Sequence, residues 1–152
     1  MNIVKRIDQY HNDNVYFCDP IKNNVMNEGN FVRILYSNSL FVLNGISLLI
    51  PLHDINIEKY YNKYKCTFNA QLHKDLIEHL RLIEESLLRK YNTKNKIPQY
   101  KINEQFKNGN IKLFLDNTDK LGNGNFALKI SGIWETDCYY GLTYKFLKAN
   151  NP

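Results

Sequence analysis

Two segments near the end of the chain alternate apolar and polar residues so regularly that paired β-strands are the natural fold for them. They are Phe126-Ala127-Leu128-Lys129-Ile130-Ser131-Gly132-Ile133-Trp134 and Tyr139-Tyr140-Gly141-Leu142-Thr143-Tyr144-Lys145-Phe146. A period of two puts Phe126, Leu128 and Ile130 on one side, and Ala127, Lys129 and Ser131 on the other. In the second segment Leu142, Tyr144 and Phe146 share a face opposite Thr143 and Lys145. A sheet with one packed face and one basic, aromatic-containing face suits single-stranded nucleic acid, because rings stack on bases and ammonium groups meet phosphates. Lys129, Tyr139, Tyr144 and Lys145 are the candidate contacts on this pair.

The rest of the chain reads as more strands around one helix. Asn44-Gly45, Asn108-Gly109 and Asn123-Gly124 are hairpin signals, since both residue types tolerate positive φ. Around the first, a meander is expected: Phe31 to Tyr36, a turn at Ser37-Asn38-Ser39, Leu40 to Leu43, then Ile46 to Ile50, closed by Pro51. One strand is expected from Ile57 to Phe68. Leu72, Leu76, Leu80, Ile83 and Leu87 then lay an apolar stripe along a helix from Ala70 to Lys90, with Asn69 as N-cap, Asn92 at the left-handed C-terminal position and a Glu85–Arg89 pair. A polar loop at Thr93 to Ile97 precedes a strand near Tyr100 to Phe106, a hairpin to Ile111–Leu115, a loop from Asp116 to Asn125, and the closing pair. The order of strands, one helix and more strands predicts a single mostly-β domain over residues 1–152. Its expected form is an oligonucleotide-binding (OB)-like closed or partly open barrel with one main helix and added hairpins.

A length of 152 residues suffices for a core without staples. The net charge of +5 points to an anionic partner, and the preference for Lys over Arg favours phosphate contact over base reading. Tyr dominates the aromatic residues, which suits stacking but equally follows from the joint enrichment of Asn, Lys, Ile and Tyr. Cys18, Cys66 and Cys138 are odd in number and widely spaced, which fits reduced thiols in an intracellular compartment. The N-terminus has no signal-peptide core, and the apolar run Ile46–Leu52 is too short to span a bilayer, so no membrane partner is expected.

The densest basic-aromatic stretch is Lys59-Tyr60-Tyr61-Asn62-Lys63-Tyr64-Lys65. On one continuous strand Lys59, Tyr61, Lys63 and Lys65 would share a face, forming a groove that tracks a nucleic-acid backbone. The competing reading is an edge strand guarded by Lys against aggregation. Arg33 or Tyr36, but not both, would extend the groove, as would Tyr100 and Lys101. Trp134 reads as a core residue sealing one end of the barrel, or as a stacking platform.

No enzyme signature emerges. His73 and His79 are six apart and do not form a zinc pair, and no carboxylates have metal-ligand spacing. Gly122-Asn123-Gly124 is not a phosphate-cradling loop, and Ser131 is not in a nucleophile elbow. No cofactor is expected.

The segments Gly132-Ile133-Trp134-Glu135-Thr136 and Tyr140-Gly141-Leu142-Thr143-Tyr144-Lys145-Phe146 resemble the closing hairpin of OB-fold single-stranded-DNA-binding proteins of phages and large nucleocytoplasmic DNA viruses. Asn30-Phe31-Val32-Arg33-Ile34-Leu35-Tyr36-Ser37 and Leu43-Asn44-Gly45-Ile46 are similar to that family's opening meander. The resemblance implies sequence-tolerant binding of single-stranded DNA, with RNA left open, in viral replication, recombination or repair. The expected protein is cooperative or dimeric, with replication proteins as partners and a place in host cytoplasm or nucleus at viral replication sites. The phage members end in an acidic tail, whereas this chain ends Lys148-Ala149-Asn150-Asn151-Pro152, so recruitment through such a tail is not expected. The alternative is a structural or protein-interaction barrel, a virion or assembly component that binds no nucleic acid.

Overall fold

The computed structural model describes residues 4–22, 29–61, 63–93, 95–114 and 124–148. Among these, the strands are β1 (Val15–Phe17), β2 (Ile21–Lys22), β3 (Asn30–Ser37), β4 (Val42–Asn44), β5 (Ile46–Leu52), β6 (Asn56–Tyr60), β7 (Lys63–Thr67), β8 (Ile97–Gln99), β9 (Asn110–Phe114), β10 (Gly124–Glu135) and β11 (Tyr139–Lys148). The helices are α1 (Lys74–Tyr91) and α2 (Lys101–Lys107). The molecule is mostly β with one main helix, as the sequence pattern predicts.

The antiparallel pair β10–β11 is the spine. On one side of β10, β5 pairs with its first half and β3 with its second. The changeover falls at a bulge between Ile130 and Gly132, where an extra residue bends the strand. Gly45, at φ +95, turns the chain there from β4 into β5, and a Cβ on it would stand 2.9 Å from the Ile130 carbonyl oxygen. The first Asn-Gly pair is therefore a corner between two strand partners, not a hairpin tip. On β11 the parallel strands β8 and β9 likewise sit in tandem, joined by α2.

The hydrogen-bonded path runs β1-β3-β10-β11-β9-β7-β6, and its two ends do not pair with each other. The sheet is open: of the closed or partly open barrel expected from the order of elements, the closed form does not occur among the described residues.

Several local expectations change. Ile57 to Phe68 is two strands, β6 and β7, because Tyr61 takes φ 56 and reverses the chain. Tyr100 to Phe106 is not a strand but leads into α2. Ile102 and Phe106 fit helical as well as strand spacing, and the buried Glu84 carboxylate accepts from the Ile102 and Asn103 N–H groups at 3.0 and 2.9 Å. That tertiary cap fixes the helix. Asn108-Gly109 accordingly links a helix to a strand. Pro51 lies within β5, opposite Asn125. Most of the loop Asp116 to Asn125, including Asn123, lies outside the described residues, as do Asn62 and Lys94.

α1 covers the inner face. Leu80, Ile83, Leu87 and Leu88 are buried in one core cluster with Tyr140, Ile102 and Phe106, each such side chain contributing ~1.5–3 kcal/mol. Leu72 is 62% exposed because Ala70–His73 is a 3-10 turn, whose tighter winding shifts it off the stripe. Asn69 caps through Gln71 N–H at 2.9 Å, and Asn92 takes the left-handed position at φ 44. Glu85 pairs with Arg81 at 2.8 Å, in place of the expected Arg89.

Candidate nucleic-acid interface

The strand registers set four lysines side by side across the outer face, the face turned away from the helices. Lys65 on β7 is opposite Lys112 on β9. Phe146 on β11 lies beside Leu113 on β9, so Lys145 and Lys112, each one residue earlier, are neighbours on the same face. Lys145 is in turn opposite Lys129 on β10. With strands about 4.8 Å apart, the row spans roughly 14 Å. None of the four forms an ion pair among the described residues. Like charges directly opposite destabilise a sheet by ~0.2–1 kcal/mol per pair, a cost that a bound polyanion would remove.

Lys63 extends the row's charge along β7. It lines a groove of about 520 Å³ with Glu58, Tyr60, Lys65 and Lys112. Glu58 stands opposite Lys65, but its hydrogen bond is to Asn56 Nδ2 at 3.3 Å.

The other end of the same face is aromatic. Phe31 on β3 is opposite Trp134 on β10, and Trp134 is opposite Gly141 on β11. Both rings are half-buried, pressed onto the sheet where glycines leave room. A Cβ on Gly132 would stand 2.6 Å from the Phe31 ring, and one on Gly141 would stand 2.9 Å from the Trp134 ring. The Arg33 guanidinium lies 6.0 Å over the Phe31 ring and donates to Asn44 Oδ1 at 2.8 Å. Tyr139 is exposed at the start of β11, on the face of Gly141, Thr143 and Lys145. Gly141 and Lys145 are four residues apart, which sets the aromatic end about 13 Å from the lysine row.

The structure thus gathers Arg33, Lys63, Lys65, Lys129, Tyr139 and Lys145 on one face, and adds Lys112, Phe31 and Trp134. Lys112 was legible as an exposed strand cation but is unremarkable without its neighbours. Trp134 is neither fully buried nor free, so it seals no barrel end.

Four expected site residues lie elsewhere. The turn at Tyr61 reverses the chain, so Lys59 pairs with Tyr64 on the opposite side of the β6–β7 hairpin from Lys63 and Lys65. Tyr61 stands at the hairpin tip, 83% exposed, edge-on to Tyr60 with centroids 4.8 Å apart. Tyr144 faces inward, where its hydroxyl accepts from the Gln105 amide and burial pushes its pKa up to about 12. Lys101 begins α2 on the helix side and pairs with Glu104 at 3.5 Å.

Among the described residues no helix is long and apolar enough to cross a membrane, and no group of three His, Cys, Asp or Glu is placed to hold a metal ion. No family model, no curated protein and no solved structure matches the chain.

Proposed function

We propose that the outer sheet face binds single-stranded nucleic acid with little sequence preference. The observation that carries this reading is the row Lys65–Lys112–Lys145–Lys129, four adjacent cations on four neighbouring strands that form no ion pair among the described residues. Phosphates meet the row and bases reach the Phe31–Trp134–Tyr139 end, where stacking contributes ~1–3 kcal/mol per base. The predominance of Lys supports backbone contact over base reading. The finer reading is an OB-type single-stranded-DNA-binding protein of viral replication, recombination or repair, supported by the sequence resemblance of the closing pair. Fluorescence-anisotropy titration with dT and U oligonucleotides at two salt concentrations tests it. Saturable, salt-weakened binding is expected, and no binding at low salt refutes it.

A second reading is supported by the β6 edge, where Tyr60 and Tyr61 are 67% and 83% exposed at one end of the sheet. Aromatic side chains at the end of an edge strand, whose outer side has no strand partner among the described residues, suit a protein partner. Size-exclusion chromatography with and without oligonucleotide separates the two: an assembly indifferent to nucleic acid favours the second.

A further inference from the structure

Away from the outer face, the N-terminal segment and β3 line a half-open cavity of about 240 Å³, with Lys5, Gln9, His11, Asn14, Tyr36 and Phe41 among its walls. Lys5 is held there by its backbone, which donates to Ser47 O at 2.9 Å and accepts from Leu49 N–H at 2.8 Å. Its side chain is 7% exposed, and the ammonium lies 4.2 Å from the Tyr36 ring centroid. Nζ is buried with no hydrogen-bond acceptor among the described residues. The Tyr36 hydroxyl is occupied, accepting from His11 N–H at 2.9 Å and from Asn14 Nδ2 at 3.4 Å and donating to Gln9 O at 3.5 Å. Among the described residues no Asp or Glu lines the cavity.

An ammonium has three donors and no acceptor, and burying it unpaired is costly. We propose that this cavity is a binding site for a compact oxyanion, a phosphate or carboxylate group, which accepts from the Lys5 ammonium. The volume holds such a group with a few waters, and is too small for a stacked base with its sugar and phosphate. Burial lowers the Lys5 pKa, the response of a cation that lacks a partner, and a bound anion would reverse it.

The test is thermal melting of the full chain in inorganic phosphate and, separately, acetate, each against chloride at equal ionic strength. To remove binding at the outer row, the background carries Lys65→Gln, Lys112→Gln, Lys129→Gln and Lys145→Gln. At ten times its Kd a bound ion should raise Tm by roughly 3–6 °C. Response to phosphate alone or acetate alone identifies the oxyanion. Lys5→Met, which keeps the stem over Tyr36, should melt no lower than its parent in chloride and lose the response; Lys5→Gln, which keeps a donor without charge, should lose it too. No response to either ion, or a response that persists in either variant, overturns the proposal. Its outcome is independent of nucleic-acid binding.

Discussion

Replacing Lys65, Lys112, Lys129 and Lys145 together with Gln should abolish most of the salt dependence of nucleic-acid binding while leaving the fold intact. Each phosphate neutralised on a single strand contributes about −0.7 to the slope of log K against log salt, so four contacts give about −2.8. Between 50 and 200 mM salt that slope corresponds to a loss of about 50-fold in affinity, which the quadruple variant should no longer show. Lys112→Gln with Lys145→Gln removes the middle of the row and should leave about a sevenfold loss from the remaining two contacts. Three adjacent like-charge pairs disappear in the quadruple variant, each costing ~0.2–1 kcal/mol, so its melting temperature should equal or exceed the wild-type value. Anisotropy titrations across the salt range and thermal melts of each variant provide both readings. A quadruple variant that keeps the wild-type slope would place the phosphate contacts elsewhere and refute the reasoning.

Trp134→Ala should weaken binding by ~1–3 kcal/mol with an unchanged salt slope, because stacking releases no counterions; an altered slope in the same titration would contradict this. Gly132→Ala brings a Cβ to 2.3 Å from the Val32 carbonyl oxygen, whereas Gly141→Ala meets the Trp134 ring at 2.9 Å. Chemical denaturation should therefore show the larger loss for Gly132→Ala, ~1–3 kcal/mol or more, since backbone yields less than a ring. Burial pushes the Glu84 carboxyl up to about 7, against the two backbone N–H groups that favour its charged form. Its folded-state pKa lies above the unfolded value, so its stabilisation is full below pH about 4.5 and is lost as pH rises through about 7. Urea melts at pH 5 and 7.5 should differ by about 2 kcal/mol from this group, and the difference should shrink in Glu84→Gln.

Where periodicity and burial agree, the fold is legible from sequence. β3, β5, β11, α1 and the first half of β10 bury the faces their spacing selects, and Arg33 and Tyr36 lie on opposite faces as their odd spacing predicts. Beyond the bulge after Ile130 the phase of β10 changes, so Ile133 is buried and Trp134 turns to the outer face. The failures are places where two patterns coincide. Ile102 and Phe106 fit a strand or a helix, and the deciding Glu84 cap comes from a segment some eighteen residues away. Lys59 to Lys65 alternates through a reversal at Tyr61, a residue type that gives no turn signal, so every side chain after it changes face. Gly45 signals a turn correctly, but whether it closes a hairpin or switches partners depends on β10, some eighty residues later. The lysine row has the same character. Each member is an ordinary strand cation, and only the pairing of four distant strands makes them neighbours.

Lysine-reactivity footprinting tests the central claim most directly. Acetylation of the folded protein with and without a dT oligonucleotide, read by peptide mass spectrometry, reports each lysine separately. The account predicts protection of Lys65, Lys112, Lys129 and Lys145, with Lys74 and Lys101 on the helix side unchanged. Protection of Lys74 and Lys101 with the sheet-face lysines unaltered would contradict it.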